Sequence, residues 1–167
     1  MEISVTLIKD LREKTSAGVM ECKQALQEAG GDLGRAGEIL RERGLAKAVK
    51  KMDRVASQGL IEAYVHSGGR IGAMVEINCE SDFVAHTDEF KALAHDLALQ
   101  ITATDPKYIS PEEIPQGASL NPEEACLLAQ PFIKDEGRKI SDLVAEVSAK
   151  VGEKVVVGRF ARFELCR

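Results

Sequence analysis

The fold is decided by residues 60–78, which read LIEAYVHSGGRIGAMVEIN. Apolar and polar residues alternate on both sides of the Ser67-Gly68-Gly69 segment. A period of two that is interrupted by glycines is typical of two strands joined by a tight turn. In the first strand the alternation places Ile61, Ala63 and Val65 on one face. The segment therefore predicts a β-hairpin whose apolar side faces a core.

Helical patterns and one further strand follow the hairpin. Apolar residues recur over residues 90–101 at the spacing of an amphipathic helix, for which Thr87 or Asp88 is the expected cap. A second helical stripe lies within residues 137–152, and residues 155–165 are rich in strand formers. Residues 105–119 contain three of the five prolines and are expected to form a loop. The predicted class is α+β, with a core over residues 57–167 in which helices cover one face of a three-stranded antiparallel sheet.

The second face of this sheet is not fully polar. Leu60, Tyr64 and Met74 are expected on it, and Phe160 of the last strand is placed with them. Because helices cover only one face, an apolar second face needs a partner. We therefore expect a homodimer that stacks two sheets, with these four residues as candidates for the interface.

The residues before the hairpin are patterned as a separate helical unit. Ser4 is predicted to cap the first of three short helices and Asp32 the third, and Gly30-Gly31 and Gly44 are predicted to end the second and third. We expect a three-helix bundle over residues 1–45, followed by a basic linker over residues 46–56.

The linker region contains the one basic cluster of the sequence, at Lys47, Lys50, Lys51 and Arg54. One interpretation is a solvated helical linker. The other is contact with an acidic partner surface or with RNA, although no aromatic residues interleave with these cations. The net charge of −5 and the aromatic content of 4% argue against a general nucleic-acid binder, which needs a basic face and stacking rings.

Several other classes find no support in the sequence. No apolar run approaches the ~18 residues needed to span a bilayer, and the first residues lack the basic-then-apolar pattern of a secretory signal. No catalytic or nucleotide-binding motif occurs, and the cysteines and histidines lack metal-ligand spacing. We therefore expect no enzymatic chemistry, metal or cofactor, and reduced thiols in a cytoplasmic protein. These cysteines and histidines are Cys22, Cys79, Cys126, Cys166, His66, His86 and His95.

Two segments carry most of the functional information: residues 11–26, LREKTSAGVMECKQAL, and residues 76–85, EINCESDFVA. Together with the order of elements, they closely resemble the translation elongation factor Ts family over almost the whole chain. Ser16 and Ser81 stand where the family usually has Gly and Thr, and His86 replaces a usual Lys, Arg or Asn. The chain has room for one copy of the core, so it resembles the short, single-core form of the family.

The resemblance implies a guanine-nucleotide exchange factor that binds GDP-bound elongation factor Tu and promotes GDP release without covalent chemistry. It assigns disturbance of the magnesium and phosphate site of that GTPase to Asp82 and Phe83. It assigns a second contact with the GTPase to the N-terminal bundle, at Arg12, Val19, Met20 and Lys23. The bundle is also similar to the ubiquitin-associated helical fold, but a fold alone does not imply ubiquitin binding.

Structural interpretations of the same residues remain open at this point. Phe83 lies seven residues before Phe90, so periodicity alone favours a role in which it staples the start of a helix to the core. Val19 and Met20 are adjacent at a helix start, so one of them is expected to be exposed and the other could pack in the bundle. The alternative function is that of a non-catalytic RNA-binding or scaffold protein of the translation machinery.

Overall fold

The computed structural model describes residues 3–15, 17–50 and 53–165 of the 167-residue chain. Within these residues no helix combines the length and apolar character that crossing a bilayer requires. The sequence expectations that fall outside the described part concern Ser16, Lys51 and Cys166, together with the side chains of Lys47 and Lys50.

The chain divides into two compact units, one of Met1–Asp53 with Ala149–Gly152 and the other of Arg54–Ser148 with Glu153–Arg167. The first unit contains the helices α1 (Val5–Thr15), α2 (Val19–Glu28) and α3 (Leu33–Lys50). Their shared core consists of Leu11, Cys22, Ala25, Leu26, Ala36 and Leu40.

Short side chains begin two of these helices as predicted. The Ser4 hydroxyl accepts a hydrogen bond from the Leu7 amide at 3.2 Å, and the Asp32 carboxylate accepts one from the Arg35 amide at 2.7 Å. Such caps satisfy amides that have no partner inside the helix. The expectation that α3 ends at Gly44 is wrong, because the helix continues to Lys50. The residues after Gly44 are mostly good helix formers and outweigh a single glycine.

The remaining described chain contains the second set of elements. In chain order they are β1 (Gln58–Val65), β2 (Ile71–Cys79), α4 (Asp82–Ala85), α5 (Asp88–Thr104), α6 (Pro122–Ala125), β3 (Pro131–Phe132), β4 (Asp135–Lys139), α7 (Ile140–Val151) and β5 (Val156–Glu164).

The predicted α+β architecture is confirmed. Strands β1, β2 and β5 form an antiparallel sheet in the order β1-β2-β5, so the last strand joins the hairpin beside β2. Helix α5 packs against β1 and β2, and the core lies between them. The small sheet of β3 and β4 was not predicted, because residues 135–139 read DEGRK and contain no strand-forming side chain.

The strand register corrects the expected faces of the sheet. Leu60 lies opposite Ile77, Tyr64 opposite Ala73, and Phe160 opposite Val75. Directly paired residues share a face, and these three partners are buried under the helices. Leu60, Tyr64 and Phe160 therefore lie on the helix-covered face, and the expectation that they line the open face is wrong.

Of the four interface candidates, Met74 does lie on the open face, opposite Ala63 and Ala161. The same face contains Ile61, Val65 and Phe163, whose side chains are largely exposed. The open face is thus apolar as expected, but it is built from different residues. Its apolar members are Ile61, Ala63, Val65, Met74, Ala161 and Phe163, and the ion pair of Glu76 and Arg159 lies on the same face beside Ile61.

Candidate functional site

The segment between β2 and α5 contains the residues that the sequence singles out most strongly. The Ser81 hydroxyl accepts from the Val84 amide at 3.4 Å and begins the four-residue helix α4. The Thr87 hydroxyl then accepts from the Phe90 amide at 3.4 Å and begins α5. The two caps, six residues apart, thus begin two separate helices.

This break decides the environment of Phe83. Val84 and Ala85 are buried, whereas the Phe83 side chain is 81% exposed. The interpretation in which Phe83 staples α5 to the core is therefore wrong. Because the helix restarts at Thr87, Phe83 does not share a stripe with the fully buried Phe90. An exposed phenyl ring on a short helix is able to enter an apolar pocket of another molecule.

Asp82 lies beside the exposed ring, and its carboxylate is also exposed to solvent. The Nδ1 atom of His86 is 2.8 Å from the Asp82 carbonyl oxygen and 3.5 Å from the Asp82 carboxylate. The site thus presents an anion and an apolar ring next to each other. In water the exposed Asp82 carboxylate is screened by solvent and salt, so its interactions with distant charges are weak. Close to a bound cation the same carboxylate would interact with that ion strongly.

The base of this segment contains a buried thiol, Cys79. Its Sγ donates to the Ser81 carbonyl at 3.1 Å, and burial raises the pKa of the thiol, with the nearby Glu153 carboxylate adding to the effect. A thiol with a raised pKa is a poor nucleophile at neutral pH. Cys79 therefore acts as a packed core residue.

Glu153 was missed by the sequence reasoning, although its carboxylate accepts hydrogen bonds from the Glu80 and Ser81 amides at 3.1 and 2.9 Å. It lies more than seventy positions from them in the chain. Its position directly after Gly152, at the end of α7, is the one local signal that could have drawn attention to it.

The second group of candidates lies in the N-terminal unit. Val19 and Met20 occupy the first turn of α2 and are 49% and 64% exposed, so both point away from the bundle core. Arg12 and Lys23 are exposed as well. The interpretation of the two apolar residues as ordinary bundle packing is therefore wrong. Adjacent exposed Val and Met side chains form an adaptable apolar contact.

Among the described residues, no three His, Cys, Asp or Glu side chains are grouped so that they could hold a metal ion. The exposed side chains of Asp82 and Phe83 offer a negative charge and an apolar ring for contact with another molecule.

Comparison with known proteins identifies similar chains. The family model described as "Elongation factor TS" matches residues 8–123. The chain is 47% identical over 193 residues to "Elongation factor Ts" of Carboxydothermus hydrogenoformans, an alignment that covers 98% of this chain and 89% of that protein. It is 47% identical over 192 residues to "Elongation factor Ts" of Thermoanaerobacter sp. strain X514, covering 97% and 94%. Both alignments are longer than the 167 residues of this chain, so these relatives contain residues that it lacks.

Proposed function

Since this chain belongs to the elongation factor Ts family and thus to the translation elongation factors, we propose that it is the guanine-nucleotide exchange factor for elongation factor Tu. It binds the GDP-loaded GTPase, accelerates GDP release and leaves when GTP enters. The observation that carries the proposal is the exposed Asp82-Phe83 pair on a short, capped helix.

The physical basis of exchange is linkage between two binding equilibria. A factor that binds the nucleotide-free GTPase more tightly than the loaded one must weaken nucleotide binding by the same factor. Burial of the Phe83 ring in a pocket of the partner is worth roughly 1.5–3 kcal/mol. Asp82, carried next to the magnesium site, competes with the groups that hold the ion and the GDP phosphates.

The N-terminal unit supplies the second contact in this proposal. Val19 and Met20 offer the apolar surface, and Arg12 and Lys23 lie exposed in the same unit. Contacts on two surfaces raise the effective concentration of each, so neither has to be strong alone. Exchange by this mechanism forms no covalent bond and needs no cofactor, and we place the protein in the cytoplasm with its GTPase.

We further propose that the chain is a homodimer. The open sheet face supports this, because the side chains of Ile61, Val65, Met74 and Phe163 are all exposed on it. A surface of this kind marks an interaction site, and a second copy of the same face would cover it with matching side chains. Nucleic acid is not among the proposed partners, since the net charge is −5.

Stopped-flow release of fluorescent GDP from elongation factor Tu tests the exchange proposal. Wild type should accelerate release, and Phe83→Ala should need a roughly 10- to 150-fold higher concentration for the same effect, by the burial free energy given above. Asp82→Ala should bind but release GDP more slowly at saturation. Leu120→Ala is the control, because Leu120 is an apolar residue that is 45% exposed and belongs to neither set of candidate residues.

Two results would contradict this proposal. If wild type binds the GTPase without accelerating GDP release, the protein is a scaffold. If Phe83→Ala and Leu120→Ala behave alike, Phe83 is not inserted into the partner, although the family assignment is unaffected.

A further inference from the structure

The residues directly before Asp82 and Phe83 are hydrogen-bonded to a single carboxylate, that of Glu153. Glu153 Oε2 accepts from the Glu80 amide at 3.1 Å and the Ser81 amide at 2.9 Å, and Oε1 accepts from the Ser81 hydroxyl at 2.5 Å. Bonds to a charged acceptor are stronger than those between neutral groups. All three donors therefore converge on one side chain that comes from the far end of the sequence.

The side chain of Glu80 in turn accepts a hydrogen bond from the segment that contains Glu153. Glu80 Oε1 accepts from the Lys154 amide at 2.6 Å and lies 3.4 Å from Arg54 Nη1, while Lys154 Nζ donates to the Arg54 carbonyl at 3.0 Å. The Ser148 hydroxyl, which is buried, donates to the Glu153 carbonyl at 2.6 Å and fixes the backbone that carries the carboxylate. The end of β2 and the start of β5 are thus tied together directly below α4.

Helix α4 needs such support because it cannot hold its own shape. A four-residue helix forms hardly any internal hydrogen bonds, and short helices depend on tertiary contacts. Its exposed Phe83 gains nothing from the native conformation, whereas burial against its own protein would be favourable. The Ser81 hydroxyl makes two hydrogen bonds: it donates to the Glu153 carboxylate and accepts from the Val84 amide.

We propose that Glu153 is a positioning residue that holds the Asp82-Phe83 segment in its binding conformation before the partner arrives. The proposal deepens the exchange function and rests on it for its kinetic consequence. A binding site that is only partly populated in the free protein binds more weakly by that population. Glu153 therefore sets how readily the factor engages the GTPase, not how fast GDP leaves the assembled complex.

The first test is made on the free protein and does not depend on exchange activity. Hydrogen exchange of the Glu80, Ser81 and Val84 amides is measured by NMR in wild type and in Glu153→Gln, which keeps the shape but loses the charge. These three amides should exchange about tenfold faster or more, because their acceptors are lost or loosened. The amides of the central strand β2 should keep their wild-type rates.

The second test is GDP release from elongation factor Tu as a function of factor concentration. For Glu153→Gln the half-saturating concentration should rise about threefold or more while the maximal release rate stays at the wild-type value. The matched control is Glu146→Gln, which removes the same charge from an exposed ion pair with Arg138. It should change neither the three amides nor the release curve. A role limited to general stability would speed exchange throughout β2 as well.

Each outcome decides one of the two claims. Unchanged exchange of the Glu80 and Ser81 amides overturns the positioning role, and so does a lowered maximal rate at an unchanged half-saturating concentration. Absence of any acceleration by wild type overturns the exchange proposal, while the amide measurement still decides whether Glu153 holds the segment. If Glu153→Gln does not fold, Glu153→Asp replaces it, because the shorter side chain withdraws the carboxylate from the Glu80 and Ser81 amides, which should then exchange faster.

Discussion

Replacement of Phe163 by serine is expected to dissociate the proposed homodimer. The Phe163 side chain is 71% exposed in a single chain and lies opposite Gly72, which leaves its ring uncovered on the open sheet face. In a dimer with twofold symmetry both copies present the same residue, so one substitution acts twice on the interface.

The size of the effect follows from the exposure. Full burial of a Phe side chain is worth about 1.5–3 kcal/mol, so the uncovered part of Phe163 leaves roughly 1–2 kcal/mol to be gained per copy. Removal of both rings then costs about 2–4 kcal/mol, which raises the dimer dissociation constant roughly 30- to 1000-fold. Because the ring contacts little of its own chain, the stability of the monomer should change by less than about 0.5 kcal/mol.

Sedimentation equilibrium from nanomolar to high micromolar protein measures this constant directly. Val55→Ser is the control, since it removes an equally exposed apolar side chain that is not part of the sheet. The reasoning is refuted if wild type sediments as a monomer at high micromolar concentration. It is also refuted if Phe163→Ser and Val55→Ser dimerise equally well.

Two further predictions concern the sheet itself. Gly59→Ala should lower the free energy of unfolding in urea by about 2–4 kcal/mol, because Gly59 has a φ of 152° and a Cβ there would lie 2.1 Å from the Ile77 carbonyl oxygen. Gly68→Ala, with a positive φ but open space, should cost clearly less, and equal costs would contradict the steric argument. The Arg159 guanidinium, hydrogen-bonded to Glu76, holds the pKa of that carboxyl below its usual range. The interaction of Glu76 with Arg159 therefore stabilises the fold fully at pH values above the ordinary pKa range of glutamate. This stabilisation is lost as the pH falls through the lowered pKa of Glu76. NMR titration should show the Glu76 pKa rising in Arg159→Ala, and no rise would exclude this cause.

Features that depend on neighbouring residues were predictable from the sequence. Ser4 and Asp32 were expected to begin helices, and Thr87 was one of two candidates for the cap of α5. A cap needs only a short polar side chain and an amide two or three residues later. The end of α3 was missed, because a glycine such as Gly44 ends a helix only when the following residues do not favour continuation.

The faces of the hairpin were not predictable, because both faces of β1 are apolar. Ile61 and Val65 on one face and Leu60 and Tyr64 on the other are equally compatible with a core. A shift of one residue in register exchanges the two faces, and the register depends on the geometry of the turn. In the structure the His66 amide donates to the Ile71 carbonyl at 2.8 Å and fixes that register.

The candidate site was predictable only in part. The motif around Asp82 and Phe83 is continuous in sequence, so a resemblance could identify it. The role of Glu153 could not be found in this way, because a hydrogen bond between residues more than seventy positions apart leaves no periodic pattern. Such contacts become visible only when the end of β2 and the start of β5 are brought together by the sheet.

The two proposed contacts of the second unit lie on different sides of the sheet. Helix α4 packs against α5 and the hairpin strands, and its buried Val84 and Ala85 belong to the core under the helices. Phe163, in contrast, lies on the open face, opposite Gly72, and its side chain is 71% exposed. A second copy bound to the open face therefore leaves Phe83 exposed, because the sheet itself separates the two surfaces. In the proposed assembly the dimer contact and the GTPase contact therefore use separate surfaces, and each protomer keeps its own Asp82-Phe83 pair.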